Sequence, residues 1–224
     1  MGLKSIKVIP IMHDTGSSEI LDLWPTRLFK KVLPDFTTPN QELLRLARQW
    51  DKSKKNLTTD YRDNDPFEID SPSTSWLREH VNQAMIEYLK AIGIDFSVNW
   101  QIHGWININR SGDYHDPHNH PHCYLSGTYY LKMPPAIETK RHRRDVRPNH
   151  ITLYDPRTGF NMLSIRGDPY IDPEYTIMPE AGLLMLWPAS LMHFVHPNLS
   201  NETRVSISFN IILKWADHYL PPQQ

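Results

Sequence analysis

The sequence predicts a mainly β protein, a double-sheet jelly roll supported by α-helices near the N-terminus. Several short segments alternate polar and apolar residues, the pattern of strands that turn one face toward a core. Clusters of glycine, proline, asparagine and aspartate separate these segments. Both stretches with helical periodicity come early in the chain. Strands joined by turns, with the helices kept to one end, favour two packed sheets with helical support.

Length and composition predict one domain. The 224 residues are 39% hydrophobic, which is enough for one sizeable core. We expect a single domain over residues 1–224, with its β core at roughly 96–215 and its helical support at roughly 20–95.

Charge and cysteine content limit the partners and the compartment. The formal net charge of -1 gives no overall attraction to nucleic acid or to anionic membranes. No apolar stretch reaches the roughly 20 residues of a membrane span. The single cysteine, Cys123, excludes an internal disulfide and favours a reducing compartment, so we expect a cytoplasmic protein. The sequence leaves a homodimer open.

The first elements can be assigned in order. Residues 5–12 predict a first short strand, at a sheet edge because Pro10 has no backbone donor. A capping-box pattern at residues 38–41 begins a short amphipathic helix that continues to Trp50. The polar stretch 51–71 predicts a surface loop.

A second helix and most of the strands follow. Ser71 and Pro72 begin a helix whose apolar residues recur at helical spacing until Gly93 ends it. The basic run 138–148 predicts a solvated loop. Alternation and β-branched or aromatic content predict strands at residues 100–109, 125–133, 151–157, 182–188 and 204–211. Residues 161–165 and 175–178 show the same signals more weakly.

Four of the twelve histidines lie between His115 and His122. His118 and His120 are separated by one residue, so on an extended backbone their side chains would leave the same face and could converge on one ion. Imidazole binds iron, copper, nickel and zinc, so the pair alone does not identify the metal. The alternative is a polar loop whose histidines only cap turns. A third ligand must come from elsewhere, and the buried strand at 182–188 leads to His193.

The segment 204–211 predicts a strand with a polar interior face. Arg204, Ser206, Ser208 and Asn210 share one face of it, and apolar residues occupy the other. An arginine and a hydroxyl two residues apart provide the fork and the additional donor that a carboxylate needs.

Together these motifs resemble the iron(II)- and 2-oxoglutarate-dependent oxygenases. The matching order is H-x-H at His118, L-S-G-x-Y-Y-L at residues 125–131, W-P-x-x-x-x-H ending at His193, and R-x-S-x-x-F-N beginning at Arg204. The resemblance covers roughly residues 100–213. It is greatest to a branch with the motif H-N-H-P followed by L-S-G-x-Y-Y, whose opening is also similar to residues 23–29.

The resemblance implies a double-stranded β-helix and an enzyme that hydroxylates an unidentified substrate, using iron(II), 2-oxoglutarate and O2 and releasing succinate and CO2. It implies that His118 and His193 bind iron, and it places His120 where the family has Asp or Glu. We therefore expect His120 to be the third ligand, with Asp116 or a water as the alternative. The implied contacts of 2-oxoglutarate are Arg204, Ser206, Tyr130 and Asn107.

Three alternatives stay open at this point. Asn107 could instead form a hydrogen bond with a neighbouring loop. The chain could be a three-histidine, cupin-like metal dioxygenase that does not use 2-oxoglutarate, or a non-catalytic jelly-roll binding module.

Overall fold

The computed structural model describes residues 25–53, 59, 64–135, 147–157 and 172–219. The predicted strands at 5–12 and 161–165 and most of the basic run 138–148 lie outside these residues. The described part forms two α-helices and nine strands, with short 3₁₀ helices at Pro66–Glu68 and Asp217–Tyr219. In chain order the elements are β1 (Phe29–Val32), α1 (Thr37–Ser53), α2 (Pro72–Ala91), β2 (Trp100–Asn109), β3 (His115–His118), β4 (Leu125–Lys132), β5 (Ile151–Tyr154), β6 (Glu174–Ile177), β7 (Leu183–Pro188), β8 (His193–Val195) and β9 (Arg204–Leu213).

The strands form two antiparallel sheets. The larger sheet has the order β1-β7-β4-β9-β2, and the smaller has the order β3-β8-β5-β6. Tyr130 of β4 and Trp187 of β7 share a buried cluster with Ile151 and Leu153 of β5, so the two sheets pack against each other. The predicted mainly β, double-sheet architecture with two early helices is confirmed. Within the described residues, neither helix is long and apolar enough to cross a membrane.

Apolar and polar residues alternate along β9, so one face of the large sheet packs against the helices and the other faces the interior. Ile207 and Phe209 lie in one buried cluster with Leu43 of α1 and Leu77 of α2. The polar residues between them therefore face the space between the sheets. The two helices thus cover the outer face and leave the interior face for a site.

Helix α2 begins and ends as its sequence predicts. The Ser71 side chain accepts a hydrogen bond from the backbone N–H of Thr74, and the Thr74 side chain accepts one from the backbone N–H of Ser71. Pro72 occupies the first helical position, where its missing N–H costs nothing. Gly93 follows the helix with a φ of 85°, the left-handed conformation that glycine adopts at little cost.

The surface-loop prediction for residues 51–71 is wrong in two places. Helix α1 continues to Ser53, and Phe67 is buried against the ring of Phe209. The Asp65 carboxylate accepts a hydrogen bond from the N–H of Phe67 and another from the N–H of Gly104 on β2. Strand β2 is at the edge of its sheet, so its outward backbone donors need such partners.

Gly127 of β4 allows the close approach of its neighbours. A Cβ at this position would lie 2.5 Å from Cζ of Phe209 and 2.6 Å from the carbonyl oxygen of Met185. Because that carbonyl belongs to a paired strand, it cannot move aside without disturbing the sheet. We expect Gly127→Ala to lower the free energy of unfolding by about 3 kcal/mol.

Gly93→Ala is the control, since a Cβ there would meet nothing within 4 Å. The positive φ alone should lower the free energy of unfolding of this variant, by about 1 kcal/mol. Urea denaturation followed by circular dichroism measures both losses. Equal losses for the two variants would contradict the packing argument.

Candidate active site

A cavity that opens to solvent lies between the two sheets, with one wall from each. The larger sheet contributes mostly polar side chains, and the smaller sheet contributes histidines and aliphatic residues. The lining residues used below are Trp105, Asn107, Asn109, His115, His118, His120, Thr128, Tyr130, Trp187, His193, Arg204, Ser206 and Ser208.

Three histidines come together at this cavity. His118 ends β3, His193 begins β8, and the strand register places these two residues opposite each other. His120 lies in the turn after β3, and its N–H donates to the carbonyl of Ala189 at 2.9 Å, which fixes that turn against the turn after β7. One ligand nitrogen from each histidine lies within 4.8 Å of the other two. The sequence placed His193 at the exit of β7, whereas it begins the next strand.

Backbone carbonyls orient two of the three rings. Nδ1 of His118 donates to the carbonyl of Asp116, and Nδ1 of His193 donates to the carbonyl of Leu191 at 3.0 Å. Because a carbonyl can only accept, each Nδ1 carries the proton and each Nε2 keeps its lone pair. Such a hydrogen bond is the usual support of a metal-binding histidine. The Asp116 side chain is exposed and lies outside the three-histidine group.

Burial keeps the rings of His120 and His193 in the form that binds a metal. It lowers the pKa of His120 to about 4 and that of His193 to about 3, and a positive charge on His118 would lower both pKa values further. Neutral imidazole is the ligand form, so protons do not compete for these nitrogens near neutral pH. Three neutral nitrogen donors fit iron(II) as well as other late first-row ions, and they leave positions for further ligands.

Two tryptophans flank the histidines. The ring of Trp105 lies 5.7 Å from that of His120, and the ring of Trp187 lies 5.1 Å from that of His193, measured between centroids. Trp187 is 1% exposed and Trp105 is 3% exposed. These rings hold the imidazoles in place and limit the access of water.

Arg204 is a buried cation with an unused donor group. Its side chain is 1% exposed, and its Nη1 donates to the carbonyl of His196 at 3.0 Å. Nη2 is buried and has no hydrogen-bond partner within the described residues. Burial lowers the pKa of Arg204, and the neighbouring Tyr130 and Asp113 oppose that effect. An unpaired buried guanidinium is costly, so this end of the cavity favours an anionic ligand.

The other predicted contacts surround Arg204. Ser206 follows it on the same face of β9, and Tyr130 lies opposite Ser206 in the sheet register. Asn107 is 1% exposed, and its amide forms hydrogen bonds with Ser206, Ser208 and Thr59. The last of these bonds, with a neighbouring segment, is the alternative that the sequence left open for Asn107.

The sequence assigned no role to His115, which also lines the cavity. Its Nε2 lies 3.1 Å from Nδ2 of Asn109, and burial lowers its pKa to about 4. His115 and His118 are three residues apart, so strict alternation would place them on opposite faces. A register shift between them brings both to the cavity. An irregularity of this kind is not visible in a hydrophobic pattern.

The third ligand can be tested with two variants. We expect His120→Ala to weaken iron(II) binding about 100-fold, because it removes one of three converging nitrogens. Asp116→Ala should change it less than about twofold, because that side chain is exposed and is not part of the three-histidine group. Titration with cobalt(II), followed by its visible absorption, measures both affinities. The reverse order of effects would make Asp116 the ligand.

Comparisons with known proteins agree with this arrangement. Residues 103–210 match the sequence family described as "Putative 2OG-Fe(II) oxygenase". Among proteins with curated descriptions there is no match. Similar solved structures include a prolyl-4-hydroxylase from Pseudomonas putida, with 12% identity, a TM-score of 0.56, and 84% of this chain and 93% of that chain covered.

Two further structures share the fold. The epimerase SnoN, in complex with Fe3+, alpha ketoglutarate and nogalamycin RO, has 18% identity and a TM-score of 0.54, with 83% of this chain and 78% of that chain covered. A prolyl hydroxylase from Trichoplax adhaerens, in complex with a peptide fragment, has 13% identity and a TM-score of 0.54, with 84% and 83% covered. At these identities the likeness shows the fold.

Proposed function

We propose that this chain, whose residues 103–210 belong to the 2OG-Fe(II) oxygenase family, is an iron(II)- and 2-oxoglutarate-dependent hydroxylase. The observation that carries the proposal is the unpaired Nη2 of Arg204 in the same cavity as three converging histidines. A metal-binding group and an anion-binding group in one cavity fit a ligand that is both a chelator and a dianion. 2-Oxoglutarate is such a ligand, and SnoN, which shares the fold, binds it together with iron.

The residues would divide the work between them. His118, His120 and His193 would hold iron(II), which together with 2-oxoglutarate and O2 supplies the power to oxidise a C–H bond. Arg204 and Ser206 would bind the distal carboxylate of 2-oxoglutarate, with Tyr130 beside them. These contacts fix the position of the cosubstrate before the reaction starts. Trp105 and Trp187 would limit water around the metal.

The reaction balances without a further reductant. One oxygen atom of O2 enters succinate as 2-oxoglutarate loses CO2, and the other becomes the hydroxyl group of the product. The two electrons from the decarboxylation and the two from the C–H bond reduce O2 completely.

One observation favours a second candidate function: His120 stands where the family has the carboxylate of Asp or Glu. A three-histidine dioxygenase that does not use 2-oxoglutarate would need the same three ligands. It would have no use for an unpaired guanidinium in the cavity. Removal of Arg204 would leave its activity intact, which separates the two candidates.

The test is succinate formation from 2-oxoglutarate under air, with and without iron(II). We expect slow turnover by the iron-loaded protein alone and faster turnover when a screen supplies the right substrate. His193→Ala is the inactive control. Failure of the iron-loaded wild-type protein to bind 2-oxoglutarate would overturn the proposal.

The compartment and assembly are part of the same proposal. A single cysteine and the use of a reduced metal ion support a reducing, cytoplasmic location. Cell fractionation tests the location, and light scattering of the purified protein tests for a homodimer.

A further inference from the structure

We propose that Thr59 and Asn107 are positioning residues that direct the hydroxyl proton of Ser206 toward the carboxylate held by Arg204. The inference rests on the proposed function, because that carboxylate is the distal one of 2-oxoglutarate. Thr59 comes from the stretch between α1 and α2, far from the site in sequence. It would act on the cosubstrate through two other side chains without touching it.

The contacts form a continuous network at the cavity wall. Thr59 Oγ1 donates to Asn107 Oδ1 at 2.9 Å. Asn107 Nδ2 donates to Ser208 Oγ at 2.8 Å and to Ser206 Oγ at 3.3 Å. Ser208 Oγ also lies 2.8 Å from Oγ1 of Thr128. The network therefore crosses strands β2, β9 and β4 on their interior faces.

The direction of these hydrogen bonds decides where each proton points. An amide NH2 group has two protons and no lone pair to offer, so both serines accept from Asn107. Each hydroxyl then has its own proton left to donate. Ser208 can give its proton to Thr128, whereas Ser206 has no second partner within the described residues.

The Ser206 hydroxyl and the Arg204 guanidinium belong to the same wall of the cavity. The two residues are neighbours on one face of β9, and both line the cavity. Within the described residues, Nη2 of Arg204 has no partner, and the Ser206 hydroxyl has only the bond that it accepts from Asn107. Two charge-assisted bonds to one carboxylate are stronger and more directional than one.

Thr59 holds the Asn107 side chain from the side opposite the serines. If the Asn107 amide were rotated by 180°, Oδ1 would accept the Ser206 proton and remove it from the cavity. In the structure NH2 faces the serines and the Thr59 hydroxyl donates to Oδ1 on the far side, so every polar group of the amide has a partner in this orientation. A backbone bridge between Thr59 and Asn107 keeps the two residues in register.

Isothermal titration of 2-oxoglutarate into the manganese(II)-loaded protein tests the proposal. We expect Thr59→Val to weaken binding about fivefold and Ser206→Ala about tenfold. Thr59→Ser should restore wild-type affinity, because it keeps the hydroxyl. The double variant Thr59→Val/Ser206→Ala should bind no more weakly than Ser206→Ala alone, because Thr59 acts through Ser206.

Two controls separate positioning from general damage. Ser126→Ala removes a similar bond, from Ser126 Oγ to Asn210 Oδ1 at 2.7 Å, at the other end of the same face, and should leave binding unchanged. 2-Oxopentanoate has the same chain length without the distal carboxylate, so wild type and all variants should bind it equally. Metal affinity and melting temperature should not change with Thr59→Val; if that variant does not fold, Thr59→Ala replaces it in the same cycle.

The outcomes are distinct. No binding of 2-oxoglutarate by the wild type would overturn the proposed function. Binding by the wild type with no loss in Thr59→Val would overturn only the positioning role. Independent, multiplying losses from Thr59→Val and Ser206→Ala, or equal losses for 2-oxopentanoate, would also overturn it.

Discussion

Replacing His193 with alanine should abolish both stoichiometric iron(II) binding and succinate formation. His193 is 3% exposed, and its ring is held by the carbonyl of Leu191, so the substitution removes a ligand nitrogen that is already in position. We expect the metal affinity to fall by at least about 100-fold. Metal content after dialysis and a cobalt(II) titration measure the loss.

His122→Asn is the matched control. His122 lies in the same histidine-rich stretch but is exposed, and its φ of 66° suits asparagine better than alanine. This variant should keep full metal content. Retention of the metal by His193→Ala, or its loss from His122→Asn, would show that the three-histidine group is not the metal site.

Replacing Arg204 with methionine should weaken 2-oxoglutarate binding by about 100-fold or more. The guanidinium provides the donor Nη2, and it is the only positively charged group that we expect to bind the carboxylate. Metal affinity should stay within about twofold, because Arg204 is not a ligand. Methionine fills a similar volume and removes an unpaired buried charge, so the free energy of unfolding should not fall by more than about 1 kcal/mol.

The control for this variant is Lys214→Met, which removes an exposed cation just beyond the end of the same strand. It should bind 2-oxoglutarate as the wild type does. Unchanged 2-oxoglutarate affinity in Arg204→Met would contradict the carboxylate assignment. Unchanged metal-dependent oxidation by that variant would favour the dioxygenase that does not use 2-oxoglutarate.

The long periodic elements were predictable because burial imposes their pattern. Strands β2 and β9 pair along their whole length, with apolar residues against the helices and polar ones toward the cavity. Helix α2 carries its own start and stop signals. The same alternation predicted which residues of β9, including Arg204 and Ser206, would face the site.

The rest depends on contacts that no local pattern contains. Strand β3 holds a proline and a register shift, so neither its existence nor the inward direction of His115 follows from alternation. Phe67 and Thr59 lie in a polar stretch without periodicity, and each packs on a residue of β2, Phe67 on Gly104 and Thr59 on Asn107. The convergence of His193 on His118 requires the pairing of β3 with β8, which is a long-range contact.

The most direct test is a crystal structure of the protein grown with manganese(II) and 2-oxoglutarate, with anomalous data to locate the metal. We predict one metal within about 2.3 Å of a nitrogen of His118, His120 and His193. We also predict a carboxylate of 2-oxoglutarate about 3 Å from Nη2 of Arg204. A metal bound elsewhere, or a cavity in which Arg204 remains without a carboxylate, would contradict the account.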